Sequence, residues 1–258
     1  MNSSKDMAMQ AFGRLLTIMD QLREHCPWDK KQTLESLRHL TIEEVYELAD
    51  AITNSAAEEI KKELGDLLLH ICFYARIGTE QGFFDMEEVI NTQCEKIISR
   101  HPHIYGTVQV ADEEEVKRNW EKLKLKEGNK SILQGVPVSL PAMVKATRIQ
   151  EKARGAGFDW EQADQVLLKV HEELAELKAE IASGHQQNVE GELGDLLFSI
   201  INYARFLNID PEQALEKTNK KFIKRFQYLE ACAQKEGKQL ADMTLAEMDV
   251  YWNEAKGL

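Results

Sequence analysis

Apolar residues along most of this chain recur every three or four positions, the period of helices with one buried stripe. Leu15, Leu16, Ile18, Met19 and Leu22 keep that spacing over 12–22, and Cys26-Pro27-Trp28-Asp29 then breaks the helix into a turn. Residues 1–10, polar and rich in Met, read as frayed. Thr41 followed by Glu44 has the form of a capping box, so a long helix is expected from there to about Thr53, ended by Asn54-Ser55. A second helix is expected from about Ala56 to Gly78, and a third from about Met86 to Arg100, closed by His101-Pro102-His103. Asp112 opens a charged helix holding Trp120 and Lys124. Residues 128–141 then gather Gly128, Asn129, Ser131, Gly135, Pro137, Ser139 and Pro141, the composition of a linker.

Beyond the linker the same order returns. A helix near 142–153 leads to Gly155-Ala156-Gly157-Phe158-Asp159-Trp160. Paired helices follow at about 163–182 and 187–207, turning at Ser183-Gly184-His185. Asp210-Pro211 starts a helix to about Glu236, and a last helix holds Trp252 and Lys256. Only Val108–Val110 has any strand character. The fold class is therefore all-α, a tandem repeat of two related helical bundles: residues 1–127, a linker over 128–141, and residues 142–258.

The repeat is strictest where it is most acidic. Glu43-Glu44-Val45-Tyr46-Glu47 precedes Glu63-Leu64-Gly65-Asp66-Leu67-Leu68, with nineteen positions from Glu44 to Glu63. Adding 129 to each number gives Glu172-Glu173-Leu174-Ala175-Glu176 and Glu192-Leu193-Gly194-Asp195-Leu196-Leu197. The register holds through Ile71, Tyr74, Ala75 and Arg76 against Ile200, Tyr203, Ala204 and Arg205. Meanwhile Glu58-Glu59 became Gln187-Asn188, so the copies kept these acids while nearby residues diverged.

Residues three apart on a helix share a side. Glu173 with Glu176, and Glu192 with Asp195, therefore point from two antiparallel helices into one small volume, and Glu44, Glu47, Glu63 and Asp66 repeat the arrangement. Leu193, Leu196, Leu197 and Ile200 flank the second pair, which places the carboxylates at the edge of a buried face. Unpaired carboxylates there cost several kcal/mol each, so a cation must neutralise them. Four oxygen donors suit Mg²⁺, or Mn²⁺ in its place, better than Zn²⁺. A solvated helix face explains a lone E-x-x-E; two full copies with equal spacing favour a metal site. Gly65 and Gly194, costly inside helices, suggest close approach of another backbone.

Composition narrows the partners. The 258 residues are 43% hydrophobic and 29% charged, with a net charge of −12, which disfavours a nucleic-acid polymer but not a small anion delivered with a metal. Cys26, Cys72, Cys94 and Cys232 form no metal-ligand spacing and read as free thiols of a cytoplasmic protein. No signal sequence or membrane span is evident.

The E-E-x-x-E…E-L-G-D-L-L pattern resembles the signature of the all-α nucleoside triphosphate pyrophosphohydrolases. Over residues 12–258 the chain is similar to the tandem MazG branch of that family. Cys26-Pro27-Trp28-Asp29, His101-Pro102-His103, Pro137 with Pro141, Ile149-Gln150, Gly157-Phe158-Asp159-Trp160 and Lys221-Phe222…Arg225-Phe226 carry the likeness. It implies hydrolysis of a nucleoside triphosphate to the monophosphate and pyrophosphate, with Mg²⁺, in a homodimer. It makes Glu173, Glu176, Glu192 and Asp195 the metal ligands, with Glu44, Glu47, Glu63 and Asp66 as their counterparts. Glu172 or Glu173 is then a general base. Lys221 and Arg225 resemble the phosphate-binding pair, Lys169 and Asn188 stand one turn before ligands, and Trp252, followed by Lys256, resembles a base-contacting residue. Asn188 departs from the family, which often has a basic residue there.

The halves differ in cations. Aligned on Lys221, the residues Lys220, Lys221, Lys224 and Arg225 of the second correspond to Glu95, Lys96, Ser99 and Arg100 of the first, which keeps two of the four cations. The second half is thus expected to carry most of the activity. Two alternatives to a broad triphosphate hydrolase stand beside it: a narrow enzyme for dUTP or dCTP, and a nucleotide- or metal-binding regulator with little turnover.

Overall fold

The computed structural model describes residues 2–112, 115, 116, 119, 120, 123 and 131–257. It divides into two compact units, Met1–Val110 and Ala111–Leu258. Among the described residues every regular element is helical.

The first unit opens with α1 (Asn2–His25). The expected frayed start is helical instead. Residues 2–10 contain neither Gly nor Pro, and Met, Ala, Gln and Lys are good helix formers. Pro27 stops α1 as expected, and a 3₁₀ turn follows at Asp29–Lys31.

The next helix, α2 (Leu34–Thr53), starts seven residues before the expected cap. Thr33 is the cap: its side chain accepts from the Ser36 amide, and the Ser36 hydroxyl accepts from the Thr33 amide at 2.9 Å. Leu34, Leu37 and Leu40 extend the apolar stripe upstream, so an earlier reciprocal cap wins. Thr41 lies inside the helix, where its hydroxyl donates to the Leu37 carbonyl and meets the Tyr74 hydroxyl at 2.6 Å. Ser55, at φ 54°, turns the chain into α3 (Ala57–Gln81). The hairpin leads to α4 (Met86–Arg100), capped by Asp85 and Glu88, and to the short α5 (Pro102–Tyr105). Met19, Leu37, Cys72, Phe73 and Ile77 form the core between α1, α2 and α3, and each such burial contributes about 1.5–3 kcal/mol. Arg23 pairs with Glu80 and donates to the Asp29 and Gln32 carbonyls, so one guanidinium fixes the turn after α1 against α3.

In the second unit, α6 (Ala142–Gly155), α7 (Ala163–Ser183), α8 (Gln186–Phe206) and α9 (Pro211–Lys235) repeat this order. The final helix is α10 (Leu245–Glu254), continued by a 3₁₀ turn at Ala255–Gly257. Gly184, at φ 76°, supplies the left-handed residue that ends α7. Gln150 of α6 donates to the Phe198 carbonyl of α8 at 2.8 Å. Arg205 forks onto Asp159 in the turn after α6. Lys152, buried, donates to the carbonyls of Ile132 at 3.0 Å and Gln134 at 3.4 Å, fastening the preceding segment onto α6. Most of the helix expected from Asp112, with Lys124, lies outside the described residues.

Candidate metal centre

The short turns after α2 and α7 bring each acidic pair beside its partner helix. Glu44, Glu63 and Asp66 present carboxylate oxygens within 4.8 Å of one another, and Glu173, Glu176 and Glu192 do the same. The fourth expected members, Glu47 and Asp195, fall outside these tight groups but act on them electrically. Burial, then the charges of Asp66, Glu47 and Glu63, hold the Glu44 carboxyl above the usual range, against the opposing charge of Lys62. Glu192 is raised likewise by burial and then by Glu176, Asp195, Glu173 and Glu180.

Each cluster buries one acid, and not the equivalent one. In the first it is Glu63 of α3, 3% exposed; in the second it is Glu173 of α7, 6% exposed. Glu63 Oε1 accepts from Lys62 at 3.0 Å, while its buried Oε2 has no hydrogen-bond donor. A buried acceptor left unsatisfied costs about 1–3 kcal/mol. An orphaned oxygen, crowded carboxylates and an all-oxygen donor set together fit a hard divalent cation.

The remaining site residues divide into two groups. Lys169 donates to Glu172 at 2.8 Å and pairs with Glu173 at 2.7 Å, and these contacts, Glu172 first, raise its own pKa. Asn188 donates to Glu180 at 3.0 Å, across the α7–α8 turn, rather than to a tetrad member. Lys221 is exposed on α9. One turn later the Arg225 guanidinium lies 5.9 Å from the centre of the Trp252 ring, and Phe222 packs on that ring at 4.9 Å. Among the described residues, no ion pair or hydrogen bond joins Lys221, Arg225 or Trp252 to the carboxylates of α7 and α8. Sequence reasoning missed Lys62, although its signal was present: the repeat puts Gly191 at its counterpart.

Two expectations need correction. A Cβ added at Gly65 or Gly194 meets no atom within 4 Å outside its own helix, so among the described residues no other backbone approaches them closely. The flank of the second acidic pair is also not a buried face within the chain: Leu193, Leu197 and Ile200 are exposed, as are their counterparts Leu64, Leu68 and Ile71. Helical spacing identifies an apolar stripe without saying what covers it.

The model of the MazG nucleotide pyrophosphohydrolase domain matches twice, over residues 32–105 and 161–229. These spans contain both acidic hairpins. The chain is 43% identical to the nucleoside triphosphate pyrophosphohydrolase/pyrophosphatase MazG of Thermotoga maritima, covering 95% of this chain and 96% of that one. It is 38% identical to the nucleoside triphosphate pyrophosphohydrolase of Escherichia coli K12, over 96% and 98% of the two chains. It is also 45% identical to the uncharacterized protein YabN of Bacillus subtilis, of which it spans 51%. Two domain matches on the duplicated carboxylates, and likeness over nearly the whole length of two relatives, show that the chain belongs to the MazG nucleotide pyrophosphohydrolase family.

Proposed function

We propose that this protein hydrolyses nucleoside triphosphates to the monophosphate and pyrophosphate in a Mg²⁺-dependent reaction, with Mn²⁺ able to substitute. The observation that carries this reading is the convergence of Glu173, Glu176 and Glu192 around one point, bordered by Asp195. The metal, when bound, supplies an acidified water and neutralises charge developing on the phosphates. Everything else falls to the protein's own side chains.

Glu173, Glu176, Glu192 and Asp195 would hold the ion. Glu172 is exposed and outside the tight cluster, so it or Glu173 would take the proton of the attacking water. Lys169 bonds both of these carboxylates and so orients them, and it stands where it would meet a phosphate oxygen. Lys221 and Arg225 would bind the outer phosphates, and Trp252, already beside Arg225, would contact the base. Asn188 would act indirectly, by holding Glu180 near the cluster. The catalytic half would be residues 142–258, separated from residues 1–127 by the 128–141 linker.

The protein would work as a homodimer in the cytoplasm. Leu64, Leu68 and Ile71, repeated as Leu193, Leu197 and Ile200, form an uncovered apolar stripe on each tetrad-bearing helix, which a second copy would cover. All four cysteines are free thiols, and among the described residues no helix is long and apolar enough to cross a membrane. Light scattering of the purified protein tests the dimer.

Incubation with Mg²⁺ and each NTP or dNTP, followed by resolution of products, tests the reaction. Monophosphate plus pyrophosphate is expected from several bases. Turnover of dUTP or dCTP alone would make it a narrow enzyme. Absence of product would make it a binding protein, and diphosphate plus phosphate would refute the cleavage site.

A further inference from the structure

The two clusters hold equivalent acids but unequal cations. In the first, Lys62 reaches across the hairpin: its Nζ is 3.0 Å from Glu63 on α3 and 4.0 Å from Glu47 on α2. Its charge also acts on Glu44 and Asp66, so every member of that tetrad feels it. In the second cluster the corresponding position is Gly191, which has no side chain. The cation there is Lys169, and both of its carboxylate partners, Glu172 and Glu173, are on α7. After burial, the charges that act most on Glu192 are those of carboxylates. The position equivalent to Lys169 is Leu40, packed against the core of the first unit. One lysine has in effect changed helices between the copies.

The difference matters for any ion that must bridge the two helices. An ammonium close to carboxylates of both α2 and α3 draws on the same negative charge that such an ion would need. Its tether keeps it there at constant local concentration, and its exposed side chain gives up little hydration. Lys169 is placed otherwise: it can release Glu173 and keep Glu172, which is not one of the four ligands.

We infer that Lys62 is an intramolecular counter-ion that competes with divalent metal for the first tetrad, so that the two halves of one chain bind metal with unequal affinity. The inference rests on the reading above that the tetrads hold metal.

Titration of the full-length protein with Mn²⁺, with free ion followed by electron paramagnetic resonance, tests both. Two classes of site are expected, the tighter removed by Glu192→Gln and the weaker by Glu63→Gln. Lys62→Gln should tighten the weaker class about thirtyfold, the order expected for removing a unit charge about 4 Å from a divalent ion in a well-solvated site. Lys62→Arg should leave that class unchanged. Gly191→Lys, at a position where an added Cβ meets no atom within 4 Å, should weaken the tighter class by a similar factor. An unchanged weaker class in Lys62→Gln, or equal affinities in the wild type, overturns the inference. Survival of both classes in Glu63→Gln and in Glu192→Gln overturns instead the assignment of the tetrads to metal.

Discussion

The hairpins α2–α3 and α7–α8 keep the same four acids at the same spacing, yet they bury different ones and meet different surroundings. In the first, the buried acid is on the second helix and a lysine spans the cluster. In the second, the buried acid is on the first helix and the lysine pairs along that helix only. The helices that follow diverge further. α4 ends at Arg100, where the counterpart of Arg225 falls, whereas α9 continues ten residues past Arg225 and carries Phe222 and Arg225 against Trp252. On the proposed reading, the acidic motif specifies where metal would be held, and the residues around it decide whether a triphosphate could be held there too.

The largest expected effect bears directly on that contrast. Glu192→Gln should lower pyrophosphate release at least about a hundredfold, the scale of losing a metal-based catalytic group, while Glu63→Gln should lower it less than about tenfold. Steady-state rates with saturating Mg²⁺ check this, and equal losses would mean that the halves share the work.

A smaller effect asks what covers the tetrad-bearing helices. Gly65→Ala and Gly194→Ala should each stabilise the fold by about 0.5–1 kcal/mol, because alanine suits a helix interior and both positions are open. Thermal denaturation measures it. Destabilisation of one variant and not the other would show that a second copy packs closely on that half alone.

The smallest effect concerns the ion pairs that close the two units. A hydrogen bond from Arg23 holds the Glu80 carboxyl below its ordinary value of 4.5. A lowered carboxylate stabilises the fold above that value and loses its contribution as pH falls through the lower, folded one. Glu80→Gln should therefore lower the melting temperature by about 1–3 °C at neutral pH and leave it near the wild-type value well below pH 4, where Glu80 itself is protonated. Scanning calorimetry across that range checks the sign.

Much of the fold was legible because helix periodicity and breakers are local signals. Pro27, Gly184 and the Asp210-Pro211 start all stand at helix ends, as the pattern predicted. The start of α2 was misread because two capping sequences compete, and the choice depends on Leu34 and Leu40 reaching the α1–α3 core, which is a tertiary fact. The acidic clusters were legible from the duplication, since equal spacing on paired helices brings the same acids together. Their inequality was less so. That Glu63 is buried where Glu192 is half-buried, and that Asn188 turns to Glu180, depends on packing and side-chain reach that spacing does not encode. The open environment of Gly65 and Gly194 was misjudged for the same reason: the sequence shows that a side chain is absent, not what stands opposite.

Lys152 bears on how the protein can be dissected. Its buried ammonium draws two acceptors from Ile132 and Gln134, within the stretch that composition marks as a linker. A fragment cut at residue 142 would remove these two acceptors from a buried charge. One begun ahead of residue 131 would retain them. The tether between the halves, as judged by composition, and the smallest separable piece of the second half, as judged by its hydrogen bonds, therefore overlap rather than abut.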